Sequence, residues 1–283
     1  METIFTATYW GCEELSAASF FNKVLTHGYT GIEVCLPKEG GFVKELTAMV
    51  REHRRSVPNF KFILQHITVP HAESVDRFTQ RDLEALKRLA DFEPDFINAH
   101  TGKDYFTFEQ NCAIIKGYRQ FEALSGIPVL HETHRGRFSF HASSLLPYLK
   151  EFPELKLVAD FSHFCTVSES LLEHQQDILE KIMPHVTHVH ARVGFEQGPQ
   201  VSNPFAPEWQ MHLNTFVNWW LQLYRQASAA GRAFFTITPE CGPSPYMPLE
   251  PFSQKPLANQ WSLNVQMMQY LQKQINNYAT TNL

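Results

Sequence analysis

Residues 155–163 read Leu-Lys-Leu-Val-Ala-Asp-Phe-Ser-His, and this stretch predicts a buried strand that ends on an acidic residue. A short apolar run rich in branched side chains is typical of a strand that is covered on both faces. The carboxylate of Asp160, at the end of this strand, costs free energy unless a partner neutralises it, and a bound cation is the simplest partner. Similar strand ends recur along the chain, and their polar residues are mostly types that bind metals.

The composition is that of a globular protein with a large core. The 283 residues fit one α/β barrel, and 43% hydrophobic with 19% charged residues argue against disorder. The net charge of -5 disfavours a surface built to bind nucleic acid. We see no secretory signal, and no apolar run approaches the roughly 18 residues that span a bilayer. The five cysteines are scattered without a CxxC pair, so we expect reduced thiols in a cytoplasmic protein that does not contact a membrane.

Strand-like and helix-like segments alternate along the whole chain. The predicted strands are residues 4–9, 31–36, 61–67, 96–100, 128–132, 155–160, 186–192 and 234–240. The predicted helices are residues 14–26, 42–55, 74–91, 107–124, 142–150, 169–182, 208–229 and 259–278. Strict alternation implies a parallel sheet covered by helices, and eight units about 30 residues long favour closure into a barrel. We therefore predict a single (β/α)8 TIM-barrel domain over residues 1–283, with the active site at the carboxyl ends of the strands.

The polar residues at the ends of these strands share the chemistry of metal ligands. They are Glu33, His66, His100, Glu132, Asp160, His190 followed by Arg192, and Glu240. Barrel closure brings strand ends to one rim, although these residues lie far apart in sequence. Any one of them alone is more often a packed or hydrogen-bonded residue than a ligand. Their joint occurrence predicts a metal site within this set.

Five short motifs lie at the ends of predicted strands four to eight. They read Ile97-Asn98-Ala99-His100-Thr101-Gly102, Val129-Leu130-His131-Glu132-Thr133, Ala159-Asp160-Phe161-Ser162-His163, His188-Val189-His190 and Thr238-Pro239-Glu240. In this order they resemble the HxG, hhxE, DxxH, HxH and TPE motifs of the xylose-isomerase-like TIM-barrel superfamily. That superfamily includes sugar and sugar-phosphate isomerases and epimerases, and the apurinic/apyrimidinic endonucleases of the endonuclease IV type. The resemblance covers essentially the whole chain.

The resemblance implies one divalent metal ion held by Glu132, Asp160, His190 and Glu240. Three carboxylates and one imidazole favour Mn²⁺, Mg²⁺ or Co²⁺, and Zn²⁺ also suits them. It further implies an isomerase or epimerase of a ketose or sugar phosphate, in which Glu132 and Glu240 transfer a proton next to the carbonyl through an enediolate. His188 points to the same side of its strand as His190, and we expect it one layer deeper in a structural role. The partner is then a small-molecule sugar or sugar phosphate, and the sequence leaves a homo-oligomer open.

Further residues at the same end of the barrel are predicted to bind substrate. His163 and Arg192 would contact substrate oxygens, and Trp10 would form an apolar wall against the sugar. Arg135, Arg137 and Lys103, on loops of the same face, could meet a phosphate or carboxylate, or could be solvated loop charges.

Two alternative functions remain open. His66 and His100 could bind a second metal or the substrate, with Glu132 as a bridge, which would suit a zinc-dependent AP endonuclease or phosphodiesterase-like hydrolase. The endonucleases carry an Asp-x-His motif after strand seven, and residues 192–200 contain none. His163 then lacks its metal partners and is assigned to substrate. The other alternative is a non-catalytic barrel that serves as a binding protein, which the carboxylates in the barrel mouth disfavour because they are costly without a function.

Overall fold

A closed barrel of eight parallel strands forms the centre of the molecule. The computed structural model describes residues 1–37, 40–69 and 73–281. The strands are β1 (Glu2–Thr8), β2 (Gly31–Cys35), β3 (Lys61–His66), β4 (Phe96–Ala99), β5 (Val129–Glu132), β6 (Leu157–Ala159), β7 (Val186–Ala191) and β8 (Phe234–Pro239). Neighbouring strands pair in sequence order, and β8 closes the ring against β1. The predicted (β/α)8 barrel is confirmed.

Helices follow the strands and cover the outside of the barrel. In the described residues they are α1 (Ala17–Thr26), α2 (Gly40–Arg54), α3 (Val75–Ala90), α4 (Phe108–Ser125), α5 (Ala142–Glu151), α6 (Phe161–Ser168), α7 (Gln176–Ile182), α8 (Gln210–Ala229) and α9 (Gln260–Thr281). Short 3-10 helices at Met183–His185 and Pro207–Trp209 precede β7 and α8. Thr107 and Gln110 form a capping box that starts α4, and Gly126, at φ 73°, ends it. Across the part of the chain that the structure describes, we find no helix that combines the length and apolarity needed to cross a membrane.

The chain around Asp160 turns directly from a strand into a helix. Asp160 follows β6 and caps α6, since its Oδ1 accepts a hydrogen bond from the backbone N–H of Ser162 at 3.1 Å. The predicted helix at residues 169–182 is wrong in its first half, because Glu169 ends α6 with φ 47° and α7 begins only at Gln176. A carboxylate at a helix N-terminus is favourable because the helix dipole is positive there. This cap fixes the position of the Asp160 carboxylate at the rim.

The barrel interior is layered, with apolar residues below polar ones. Four residues of β3 to β6 form an apolar cluster separate from the main core, namely Ile63, Phe96, Leu130 and Val158. Side chains two positions apart on a strand point to the same side. Two residues after these four lie buried polar residues, namely Gln65, Asn98, Glu132 and Asp160. The larger apolar core, which includes Phe20, Phe164 and Trp220, packs between the strands and the helices.

Candidate metal centre

A cavity of about 560 Å³ opens at the carboxyl ends of the strands. Among the residues that line it are six predicted site residues, namely Trp10, His100, Glu132, Arg137, Arg192 and Glu240. The loop after β8 contributes Tyr246, whose ring centroid lies 5.0 Å from that of Trp10 in an edge-to-face arrangement. The cavity therefore combines carboxylates, two arginines and the rings of Trp10 and Tyr246 at the end of the barrel where TIM-barrel active sites lie.

The structure brings the four predicted metal ligands together below this cavity. Asp160, His190 and Glu240 each offer a ligand atom within 4.8 Å of the other two. Glu132 joins them, with its Oε1 3.7 Å from Nδ1 of His190. An octahedral ion with bonds of about 2.1 Å keeps its ligand atoms roughly 3 to 4 Å apart. These spacings fit a divalent cation.

Glu33 fixes the orientation of the His190 ring. Nε2 of His190 lies 2.9 Å from Oε1 of Glu33. The other ring nitrogen, Nδ1, is buried, lies 2.8 Å from Oε2 of Glu240 and has no well-aligned hydrogen-bond partner. Metal-binding histidines commonly use one nitrogen for the ion and the other for an orienting carboxylate. His190 has this arrangement, and it is the clearest fit of the site to a metal.

Glu33 is a buried carboxylate with several hydrogen-bond donors around it. Its Oε1 accepts hydrogen bonds from Gln65 Nε2 at 3.1 Å and Asn98 Nδ2 at 3.0 Å, and its Oε2 lies 3.1 Å from Nε2 of His188. Burial raises the pKa of Glu33, but the charges of His190 and His188 and their hydrogen bonds outweigh it and hold the pKa well below its usual range. Glu33 is therefore an anchored anion. His188 lies deeper than His190, as expected, and also contacts Thr236 of β8.

Arg192 places a cation beside the proposed ligands. Its Nη2 contacts Oδ2 of Asp160 and lies 3.6 Å from Oε2 of Glu240. Burial raises the pKa of Asp160 to about 6, an effect that Arg192 opposes and that Glu240 and Glu132 strengthen. The Cζ atom of Arg192 also lies 4.8 Å from the ring centroid of Tyr246. Arg192 therefore joins the carboxylates to the aromatic wall of the cavity.

Three histidine rings stand side by side next to Glu132. The ring centroids of His100 and His134 are 4.3 Å apart, and those of His134 and His163 are 3.9 Å apart. Nε2 of His100 lies 3.1 Å from Oε2 of Glu132, at one end of the row. Burial holds the pKa of His134 well below its usual range, helped by His100, and burial does the same for His163, helped by His134 and Arg192. His134 and His163 are therefore neutral at pH 7.

The structure does not bring His66 to the site. Nε2 of His66 lies 3.3 Å from Oδ1 of Asp82 on α3. Its neighbour Gln65 faces the barrel mouth instead, with Nε2 3.4 Å from Oε1 of Glu240. Adjacent residues of a strand point to opposite sides, so His66 and Gln65 cannot both face the cavity. This corrects the prediction of His66 as a second-metal ligand or substrate contact, whereas His100 does lie at the cavity wall.

His163 is also placed differently from its prediction as a substrate contact. The side chain has no exposed surface and does not line the cavity. Its Nε2 lies 3.1 Å from Nη2 of Arg192 and 3.6 Å from Oδ2 of Asp160. His163 therefore contacts Arg192, which lines the cavity, and reaches a substrate only through it.

The motifs do not point to several residues of the site. Asn98 donates from Nδ2 to Oε2 of Glu132 at 2.8 Å, and Arg137 donates from Nη2 to Nδ1 of His100 at 3.3 Å. Asn98 lies two residues before His100, so the alternation of strand side chains could have identified it. Arg137 is predicted from the sequence only as a loop residue that could meet a phosphate or carboxylate, and the sequence does not reveal that it is just 9% exposed. Tyr246 lies in a proline-containing loop that has no periodic pattern.

Comparison with known proteins bears on the fold. No protein-family model and no curated protein matches the sequence. Among solved structures, the chain is similar to the probable 3-DHS dehydratase AsbF from Bacillus anthracis, at 13% identity over 96% of this chain and 99% of that chain, with a TM-score of 0.60. It is also similar to a xylose isomerase-like TIM barrel protein from Mycobacterium smegmatis in complex with magnesium, at 12% identity over 96% and 97% of the two chains, with a TM-score of 0.59.

A third similar structure is the IOLI protein with a bound zinc atom, at 10% identity over 97% of this chain and 98% of that chain, with a TM-score of 0.61. The three likenesses confirm the resemblance to the xylose-isomerase-like barrels at the level of the fold. At such low identity they show the fold alone.

Proposed function

We propose that this xylose-isomerase-like barrel is a divalent-metal-dependent isomerase or epimerase that acts on a ketose or sugar phosphate. The observation that carries the proposal is the convergence of Glu132, Asp160, His190 and Glu240 below one cavity. Two similar structures hold magnesium and zinc, which supports metal binding by a barrel of this fold. The donor set favours Mn²⁺, Mg²⁺ or Co²⁺, and Zn²⁺ also suits it.

The residues of the chain have distinct roles in this proposal. A divalent ion at the site would polarise the substrate carbonyl and stabilise the negative charge that develops when the neighbouring carbon loses its proton. Glu132 and Glu240 both line the cavity, and we assign them the removal and return of that proton. Burial raises the pKa of Glu132, but the neighbouring His100 and His190 outweigh it and hold the pKa well below its usual range. Glu132 is therefore ionised at neutral pH, as a proton acceptor must be, although so low a pKa makes it a weak base.

The walls of the cavity suit a polyhydroxylated substrate. The rings of Trp10 and Tyr246 can cover the apolar face of a sugar. The guanidinium groups of Arg192 and Arg137 line the same cavity and can bind hydroxyl, carboxylate or phosphate oxygens. These contacts hold a small molecule in one orientation relative to Glu132 and Glu240.

Incorporation of solvent deuterium tests the proposal. The full chain is loaded with Mn²⁺ and incubated in D2O with a panel of ketoses and sugar phosphates, and the products are analysed by mass spectrometry. We expect deuterium on the carbon next to the carbonyl, and we expect Glu132→Gln and Glu240→Gln to abolish it. Glu196→Gln is the control, because Glu196 pairs with His212 away from the cavity. No exchange of any tested substrate by the metal-loaded chain would contradict the proposal for those substrates.

A second candidate function rests on the histidines next to Glu132. His100, Glu132 and His134 each offer a ligand atom within 4.8 Å of the other two. Glu132 could then bridge two metals, as in a dinuclear phosphodiesterase. Two or more zinc ions per chain, together with cleavage of DNA at abasic sites, would favour this function over the isomerase. Metal binding without turnover of either substrate class would favour a binding protein.

A further inference from the structure

We propose that Arg192 is a built-in cation of the carboxylate site, and that a divalent metal ion must displace it from Asp160 in order to bind. The inference rests on the metal site proposed above. It adds to that site a residue of this chain that competes with the ion.

The first argument is the position of the guanidinium group. Arg192 follows β7 directly and is only 3% exposed. Its Nη2 contacts Oδ2 of Asp160 and lies 3.6 Å from Oε2 of Glu240, so two of the proposed metal ligands already face a positive charge. A divalent ion would approach the same carboxylates to about 2.1 Å. Two cations this close to one carboxylate oxygen repel each other strongly in a buried site.

The second argument is that both carboxylate oxygens of Asp160 already have partners. Oδ1 accepts hydrogen bonds from the backbone N–H of Ser162, at 3.1 Å, and from the Ser162 hydroxyl. These bonds cap α6 and involve the main chain, so they cannot be released without disturbing the helix. Oδ2 is held by the side chain of Arg192, which can rotate. A metal ion can therefore coordinate Asp160 most readily at Oδ2, after the side chain of Arg192 has moved away.

The third argument is that the guanidinium of Arg192 is held through few contacts, one of them with an uncharged histidine. Nε2 of His163 accepts a hydrogen bond from Nη2 of Arg192 at 3.1 Å. The His163 ring is fully buried and packs against His134, which keeps it from following Arg192 if the guanidinium moves. Nε of Arg192 is buried and has no hydrogen bond. The guanidinium is thus held chiefly through one nitrogen, which makes its displacement less costly.

The fourth argument is that the displaced charge has a place to go. The Cζ atom of Arg192 already lies 4.8 Å from the ring centroid of Tyr246 and 5.9 Å from that of Trp10. Both rings line the cavity, and aromatic faces attract guanidinium groups. A guanidinium released from Asp160 would stay at the cavity wall, where it can meet an oxygen of the substrate.

Calorimetric titration with Mn²⁺ tests the inference on the full chain after treatment with a chelator. We expect Arg192→Met to bind Mn²⁺ about tenfold more tightly than the wild type or better, because the competing charge is gone. The metal-free Arg192→Met chain should also unfold at a lower temperature, because Asp160 loses its partner. The control is Arg135→Met, since Arg135 lies over the ring of Tyr246 at 5.3 Å and has no ion pair with a site carboxylate in the described residues. Its Mn²⁺ affinity should match that of the wild type.

The outcomes separate the two proposals. Equal or weaker Mn²⁺ binding by Arg192→Met, while the wild type binds, overturns the displacement and leaves the metal site standing. If neither chain binds Mn²⁺, Mg²⁺, Co²⁺ or Zn²⁺, the proposed metal site fails and the displacement fails with it. Binding by Arg192→Met alone would show that Arg192 excludes the ion from the wild-type chain, which overturns both the displacement and the metal-dependent function.

A second measurement uses the wild-type chain, in case Arg192→Met does not fold. Phenylglyoxal modifies accessible guanidinium groups, and peptide mapping gives the rate for each arginine. We expect saturating Mn²⁺ to raise the modification rate of Arg192 severalfold, because the group moves to the cavity wall. Arg54 is the internal control, because it is held by Asp95 outside the site. An Arg192 rate that is unchanged or lowered by Mn²⁺ overturns the inference.

Discussion

Glu33 connects more of the site than any motif of the sequence indicates. It belongs to β2, yet its carboxylate contacts Gln65 of β3, Asn98 of β4 and His190 of β7. A carboxylate with this many donors is inexpensive to bury, because its charge and its lone pairs are satisfied. Each of those donors is in turn fixed in one orientation. The geometry of His190 therefore depends on a residue that does not line the cavity.

We expect Glu33→Gln to weaken both the fold and the metal site. Loss of the charge should lower the free energy of unfolding by about 3 kcal/mol, and disorientation of His190 should weaken metal binding by about 10- to 100-fold. Because the pKa of Glu33 is lowered in the folded chain, its stabilisation is present above the unfolded pKa and is lost as the pH falls through the folded value. Urea unfolding and Mn²⁺ calorimetry measure the two effects. Glu45→Gln, at an exposed position of α2, should change neither, and an unaltered Mn²⁺ affinity in Glu33→Gln would remove Glu33 from the site.

His131 offers a test based on pH. It precedes Glu132 on β5 but faces the outer helices, where its ring centroid lies 5.7 Å from that of Tyr118 on α4, and its Nδ1 lies 2.7 Å from the hydroxyl of Thr101. Burial lowers the pKa of His131 to about 3. Below about pH 6.5 the unfolded chain therefore binds a proton at this residue, whereas the folded chain does not. This residue therefore costs stability as the pH falls, by about 2 kcal/mol between pH 7 and pH 5.

We expect the difference in free energy of unfolding between the wild type and His131→Gln to change between pH 7 and pH 5. The wild type should lose about 2 kcal/mol relative to the variant when urea unfolding is repeated at pH 5 instead of pH 7. The exposed His174→Gln substitution is the matched control and should show no such shift. The same difference at both pH values for His131→Gln would show that His131 is protonated in the folded chain.

At the scale of elements, the sequence predicts the strands, but it predicts only in part which residues of each strand face the cavity. The apolar runs predict each strand because buried parallel strands need them. The residue type alone led to His66 on β3, whereas alternation from the buried Ile63 leads to Gln65. Residues 169–175 lie outside any helix, although the sequence there resembles a helix, because Glu169 takes a left-handed conformation that ends α6. Contacts from loops, such as Arg137 on His100, depend on tertiary packing that no local pattern encodes.

The loops after β7 and β8 form one unit above Trp10. Gln200 of the first loop makes two hydrogen bonds with Gly242 of the second, at 2.7 Å and 3.1 Å. A Cβ atom added to Gly242 would lie 2.2 Å from Cη2 of Trp10, so only glycine leaves room for this ring. The position of the aromatic wall is thus set by the pairing of two loops.

We expect Gly242→Ala to displace Trp10 and to weaken substrate binding. Overpacking of this kind should cost about 1 to 3 kcal/mol of stability and should raise KM more than it lowers kcat. Urea unfolding, tryptophan fluorescence and steady-state kinetics measure these effects. Gly41→Ala on α2 is the control, because an added Cβ there meets nothing within 4 Å. Unchanged Trp10 fluorescence and KM in Gly242→Ala would show that the ring accommodates the methyl group.

At the scale of the whole molecule, the barrel itself was predictable because eight strand–helix units leave few other arrangements. Closure brings Glu132, Asp160, His190 and Glu240 to one rim from four consecutive strand ends. A ligand that binds only the folded barrel must therefore stabilise the entire chain against unfolding.

We expect Mn²⁺ at about 100 times its Kd to raise the free energy of unfolding by about 2.7 kcal/mol, and a chelator to reverse the effect. Chemical unfolding with and without metal measures it. Asp160→Asn should lose most of the increment, and the exposed Asp177→Asn on α7 should keep it. The same increment in Asp160→Asn would place the ion elsewhere.

The contact between Glu33 and His190 crosses the barrel, and it makes the two halves of the chain chemically unequal. The half from β5 to β8 carries all four proposed ligands, and the half from β1 to β4 carries the counter-anion and the amides that align them. A fragment that contained only the second half would hold every ligand but would leave His190 free to rotate. Assembly of the binding geometry is therefore coupled to ring closure, and metal affinity would report whether the first half of the barrel is in place.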